Sequence, residues 1–134
     1  MQLLAAMRDA EATHWLRSAR LDAVKTSTRG ELYRRCLRAR AYIEEFYASD
    51  LPLLSMADVA GLSAAHFLRC FKAAFGETPH QMLRRVRLDR GAALLALGNV
   101  SVAEAAVCVG YSDFSAFARA FRRRFGVPPS AFRS

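Results

Sequence analysis

The chain has 134 residues, 53% of them hydrophobic, which suits one compact domain with its own core and excludes a second of full size. A formal charge of +8 and an isoelectric point near 10.3 point to a polyanionic partner, either nucleic acid or an anionic membrane. From Ser63 onward eleven Lys and Arg stand against four Asp and Glu, so nearly all the excess charge lies in the C-terminal half.

Apolar positions recur at three and four residues rather than two, which predicts an all-α chain. Residues 3–20 read as one amphipathic helix through Leu3, Met7, Ala10, His14 and Ala19. Lys25 to Gly30, with two Thr, one Ser and a closing Gly, reads as a linker. Helix resumes near Glu31, where Leu32, Cys36, Ala39, Ile43 and Phe46 share an apolar face, and Asp50-Leu51-Pro52 breaks it and starts the next.

Beyond that point the chain repeats itself. Phe67, Phe71, Phe75, Gly76 and Pro79 recur as Phe117, Phe121, Phe125, Gly126 and Pro129, each pair 50 apart. Ala57, Gly61 and Ser63 recur as Ala106, Gly110 and Ser112 at a separation of 49, so one residue is gained at a turn. Each copy has one mechanical plan. A small residue, Ala57 or Ala106, lets a second helix approach; Gly61 or Gly110 makes the tight turn; Ser63, or the Ser112-Asp113 pair, caps the second helix. Three Phe at i, i+4, i+8 form that helix's inner face, leaving Arg69, Lys72, Arg119, Arg122 and Arg123 outward. This is a helix-turn-helix with a basic outer face, expected over about residues 52–76 and again over about 101–126. Between them Thr78-Pro79 starts a linking helix through Met82, Leu83, Val86, Leu94 and Leu95 to Leu97, stopped by Gly98-Asn99. A helix over residues 79–97 spans roughly 28 Å, and recognition helices on successive DNA turns lie roughly 34 Å apart.

Over about residues 38–134 the chain closely resembles the AraC/XylS family of transcription regulators. The resemblance rests on Met56-Ala57-Asp58-Val59-Ala60-Gly61-Leu62-Ser63, His66-Phe67-Leu68-Arg69-Cys70-Phe71-Lys72, Phe75-Gly76 and Thr78-Pro79 in the first unit. In the second it rests on Ala105-Ala106, Val109-Gly110-Tyr111-Ser112-Asp113, Phe117, Phe121-Arg122, Phe125-Gly126-Val127-Pro128-Pro129 and Phe132-Arg133. It implies a homeodomain-like fold of about seven helices plus the N-terminal helix, promoter binding, and contact with RNA polymerase. Relatives of this type attach the module to a sensor domain, for which the residues before the match are too few. Thr28-Arg29-Gly30-Glu31-Leu32-Tyr33-Arg34-Arg35 resembles the inter-domain segment of longer members, which favours a fragment over a short member. Residues 1–30 are thus read as a helix and linker, a remnant of a missing domain, and 31–134 as the DNA-binding domain.

The expected function is a sequence-specific regulator that places two recognition helices in successive major grooves of duplex DNA. Ala65, Leu68 and Arg69 of the first helix and Phe114, Ser115 and Arg119 of the second are the base-contact candidates. Arg69 is the side chain of the first helix able to grip guanine bidentately, worth roughly 1–3 kcal/mol of discrimination. Phe114 is open between a thymine contact and the core. Ser63, Lys72, Arg84, Arg122, Arg123 and Arg124 are candidates for phosphates, which set affinity and salt dependence rather than sequence choice.

Cys36, Cys70 and Cys108 have no metal-ligand spacing and read as reduced core residues. His14, His66 and His80 have no partner at catalytic or metal spacing, so neither a metal, a cofactor nor an enzymatic role is expected. With no membrane span or signal peptide, a cytoplasmic, nucleoid-associated protein is expected. Leu3, Met7 and Trp15 make residues 1–20 a candidate homodimer surface. The competing class is a basic, all-helical adaptor for an acidic protein or RNA. The recurrence of outward arginines in both repeats favours DNA.

Overall fold

The computed structural model describes residues 11–132, with side chains from Thr28 onward. A single helix, α1, runs from Glu11 to Phe46 without a break. The linker expected at Lys25–Gly30 is therefore helical. One internal glycine costs a helix only about 1 kcal/mol, and Glu31, just beyond it, pairs with both Arg34 and Arg35 at 3.1 Å across the next turn. Leu3, Met7 and Ala10 lie outside the described residues, as do the side chains of His14 and Trp15.

Five further helices follow: α2 (Leu53–Ala60), α3 (Ala64–Phe75), α4 (Pro79–Leu97), α5 (Val102–Cys108) and α6 (Phe114–Phe125), then a 3-10 turn over Pro129–Phe132. Among the described residues the chain is all-α, with six α-helices where about seven plus one are expected. Local chemistry sets the boundaries. The Ser63 hydroxyl accepts the His66 N–H at 3.2 Å and the Asp113 carboxylate accepts the Ser115 N–H at 3.0 Å, so each second helix starts on a side-chain cap. Thr78 with Gln81, and Ser101 with Glu104, form reciprocal capping boxes at the starts of α4 and α5.

Packing divides the molecule into two cores strung along α4. The first gathers Cys36, Ala39 and Ile43 of α1, Met56, Ala57 and Ala60 of α2, Phe67 and Phe71 of α3, and Met82, Leu83 and Val86 of α4. The second gathers Leu88, Ala92 and Leu95 of α4, Ala105 and Ala106 of α5, Val109, and Phe117, Ala120 and Phe121 of α6. The paired alanines are buried as their repeat positions require. The third Phe of each stripe is only half-buried: the Arg40 guanidinium lies 4.8 Å from the Phe75 ring, and Phe125 stacks 5.5 Å from Phe132. Two expectations of burial fail. Phe46 is exposed at the end of α1, and Cys108 faces outward because Ala105, Ala106 and Val109 supply the inner face of that segment. Phe46 lies in the last turn of α1, where the apolar face has run past the core, whereas Cys108 lies on the outer side of a segment whose core contacts continue to Val109.

Candidate nucleic-acid interface

Within each unit a short helix and its longer neighbour are joined through a left-handed glycine. Gly61 has φ 71° and Gly110 has φ 101°. Leu62 donates to the Ala57 carbonyl at 3.0 Å and Tyr111 to that of Ala106 at 2.9 Å, so the two turns close through equivalent bonds. Both second helices then bury the first two Phe of their stripe and present the opposite face outward.

On α3, Ala65 and Arg69 are exposed and Leu68 is half-buried; on α6, Phe114, Ser115 and Arg119 are exposed. Phe114, open in sequence between core and surface, is 50% exposed and lies at the first position of α6. Arg69 and Arg119 occupy repeat-equivalent sites on the two helices, and among the described residues neither meets a carboxylate within salt-bridge distance. Ser63 is a cap, and its hydroxyl proton stays free to donate while its oxygen accepts from His66.

The expected phosphate residues divide. Lys72 ends α3, and Arg122, Arg123 and Arg124 end α6, all exposed. Arg124 is already engaged, gripping Asp89 of α4 through two bonds of 2.8 and 3.1 Å. Arg84 is exposed and shares a shallow groove between α4 and α6 with Arg85, Arg123 and Arg124. Arg85 in that groove is held by Glu77 at 2.6 Å. Tyr111, half-buried in the second turn, has its phenol pushed up by burial, against the opposing pull of Arg84, Arg87 and Arg123. Arg84 and Arg87 line a small hollow with Tyr111 at the turn that precedes α6.

Two structural arginines escape a sequence reading. Arg35 of α1 donates to the carbonyls of Ala60 and Gly61 at 3.3 and 2.9 Å and so clasps the first turn. Arg87 of α4 lies against the second, where a Cβ on Gly110 would come within 2.9 Å of its Nε. Each comes from the helix preceding its unit, outside the repeated segment, and in a chain this rich in arginine nothing in the spacing marks it. Among the described residues no three His, Cys, Asp or Glu come together as a metal site, and no helix is long and apolar enough to cross a membrane.

A family model described as a helix-turn-helix domain matches residues 56–134. The probable transcriptional regulator LumQ of Photobacterium leiognathi is 34% identical over 92 residues, covering 69% of this chain and 37% of that protein. The chain spans only 26–37% of the length of the first curated relatives it matches. Among solved structures, the C-terminal domain of AraT, a response regulator from Geobacillus stearothermophilus, superposes with a TM-score of 0.69 at 33% identity, over 74% of this chain and 83% of that one. The DNA-binding domain of AdpA, a global transcriptional factor, in complex with a target DNA gives 0.70 at 28% identity, over 73% and 88%. Tandem helix-turn-helix units on one linking helix and these matches agree: the chain belongs to the AraC/XylS family of transcription regulators.

Proposed function

We propose that the chain binds a promoter site in double-stranded DNA, with α3 and α6 in successive major grooves, and regulates transcription through contact with RNA polymerase. The observation that carries this reading is the pair Arg69 and Arg119, exposed at equivalent positions of two capped helices whose inner faces pack into separate cores. In this reading both arginines and Ser115 address base edges, Ala65, Leu68 and Phe114 supply apolar contact, and Ser63, Lys72, Arg84, Arg122 and Arg123 hold phosphates. Arg124 joins them only when released from Asp89. It acts as a cytoplasmic, nucleoid-associated protein without a catalytic step. Residues 31–134 form the reading domain, which α1 enters from Glu11 without a break. Pairing of two chains through residues 1–20 is a separate proposal, which a monomer in sedimentation at tens of micromolar would refute.

Selection of bound duplexes from a random pool at two salt concentrations tests the main reading. The expected product is a motif of two blocks about 10 base pairs apart, one degraded by Arg69→Ala and the other by Arg119→Ala. Salt-sensitive binding with no motif would overturn it and favour the adaptor class.

A further inference from the structure

Two cores on one helix leave a mechanical question: what holds one head at a fixed angle to the other. Val86 is the last residue of α4 in the first core and Leu88 the first in the second. Arg87 lies between them and points across the joint. Its Nε donates to the Tyr47 carbonyl at 2.6 Å and its Nη2 to the Ser49 carbonyl at 2.7 Å, both in the turn that follows α1. The same guanidinium packs on Gly110 and stands 6.0 Å from the Tyr111 ring, at the turn that launches α6. One side chain of α4 therefore touches the turn that follows the first head's α1 and the turn that precedes the second head's recognition helix. Tyr47 itself packs against both cores, with the Arg90 guanidinium 5.3 Å from its ring.

We propose that Arg87 is a positioning residue that fixes the relative orientation of the two reading heads and thereby sets the spacing between DNA blocks that the chain accepts. The inference rests on the two-headed reading above. The apolar contacts of both cores are made by other side chains, so Arg87→Met leaves them in place. What is lost is the cross-tie. The heads then remain linked through α4 and the Tyr47 contact, about which they twist more freely. Arginine suits the place because its planar fork spans two carbonyls at once, as a lysine ammonium does not.

Spacing is a sharp readout, since inserting one base pair moves the second block by roughly 3.4 Å and rotates it by roughly 34°. With the motif selected by the unaltered chain, binding is measured on duplexes whose blocks are one base pair closer or further apart, for the unaltered chain, Arg87→Met and Arg84→Met. The unaltered chain should lose at least ~10-fold in affinity at either altered spacing, comparable with a mismatched base pair. Arg87→Met should lose less than ~3-fold on the same duplexes while keeping the base preferences of each block. Arg84→Met, an exposed charge on the same helix, should weaken all spacings alike and lower the salt dependence. A uniform loss for Arg87→Met, matching Arg84→Met, would overturn the inference. If the helical circular dichroism of Arg87→Met shows that it does not fold, Arg87→Lys, which keeps charge and stem but reaches a single carbonyl, carries the same comparison. Absence of any two-block motif in the unaltered chain would instead refute the two-headed reading, and this inference with it.

Discussion

Gly110→Ala should destabilise the fold well beyond an alanine at another left-handed glycine, and Gly76 supplies the control. At Gly76, with φ 78°, an added Cβ meets nothing within 4 Å. The cost there is left-handed backbone strain alone, about 1–2 kcal/mol. At Gly110, with φ 101°, the same strain applies, and the Cβ would stand 2.9 Å from Arg87 Nε and 3.1 Å from the Ala48 carbonyl oxygen. The carbonyl is backbone and gives little, so the guanidinium must move off its bonds to Tyr47 and Ser49. A hydrogen bond to a charged group contributes about 1.5–3 kcal/mol. Arg87 keeps partial access to water, so losing the pair adds about 2–3 kcal/mol rather than twice the single value. The total is about 3–5 kcal/mol for Gly110→Ala against about 1–2 for Gly76→Ala. Urea or thermal unfolding measures both, with about 3–5 °C expected per kcal/mol in a chain of this size. In an Arg87→Met background the Gly110→Ala penalty should fall towards the Gly76 value, a coupling that a double-mutant cycle isolates. Equal penalties at the two glycines, or no coupling to Arg87, would refute the reasoning.

Asp89→Ala breaks a pair whose side chains are 36% and 44% exposed. It should change stability by less than about 1 kcal/mol, yet free Arg124 for phosphate, so DNA affinity should rise and the salt slope steepen by roughly 1; an unchanged slope would count against a latent phosphate site. Ser63→Ala removes the acceptor for the His66 N–H and should cost about 0.5–2 kcal/mol by chemical denaturation, whereas Ser63→Asp should retain the cap. The Glu104 carboxylate is held below its ordinary value of 4.5 by the Ser101 backbone and side-chain bonds. A lowered native pKa contributes stability that is complete above the ordinary carboxylate range and is lost as pH falls through the native value. Glu104→Gln, which keeps an acceptor as Gln81 does in α4, should therefore show a shallower loss of unfolding midpoint below pH 4.5 than the unaltered chain; parallel acid limbs would refute this.

The second half of the chain is legible in sequence because its determinants are local and occur twice. Pro79 after Thr78, Gly98, and the capping residues Ser63 and Asp113 act within one turn of the backbone they control, and the Phe stripes carry their own period. Lys25–Gly30 misleads because Thr, Ser and Gly signal a break only where neighbouring side chains do not sustain the helix, and Glu31 with its two arginines does so here. Arg35 and Arg87 are invisible for the opposite reason: their partners lie 25 to 40 residues away and are mostly backbone carbonyls, which any sequence offers everywhere. Face assignment also fails at the end of α1, at Phe46, where periodicity continues after the core has stopped.

The basic residues of the candidate interface do not all need DNA to explain them. Lys72 in the last turn of α3 and Arg122, Arg123 and Arg124 in the last turn of α6 sit at the negative end of the helix dipole. Cations there stabilise the helix by about 0.3–1 kcal/mol each with no ligand present. Arg85 and Arg124 have carboxylate partners, and Arg35 and Arg87 have backbone carbonyls. Arg69 and Arg119 have neither justification. Each lies in mid-helix on an exposed face, away from the terminal turn, at the same register of the repeat. Replacing either with alanine should leave stability within about 0.5 kcal/mol, as for ordinary surface sites. Loss of sequence preference with the fold intact would then be assignable to the removed side chain alone.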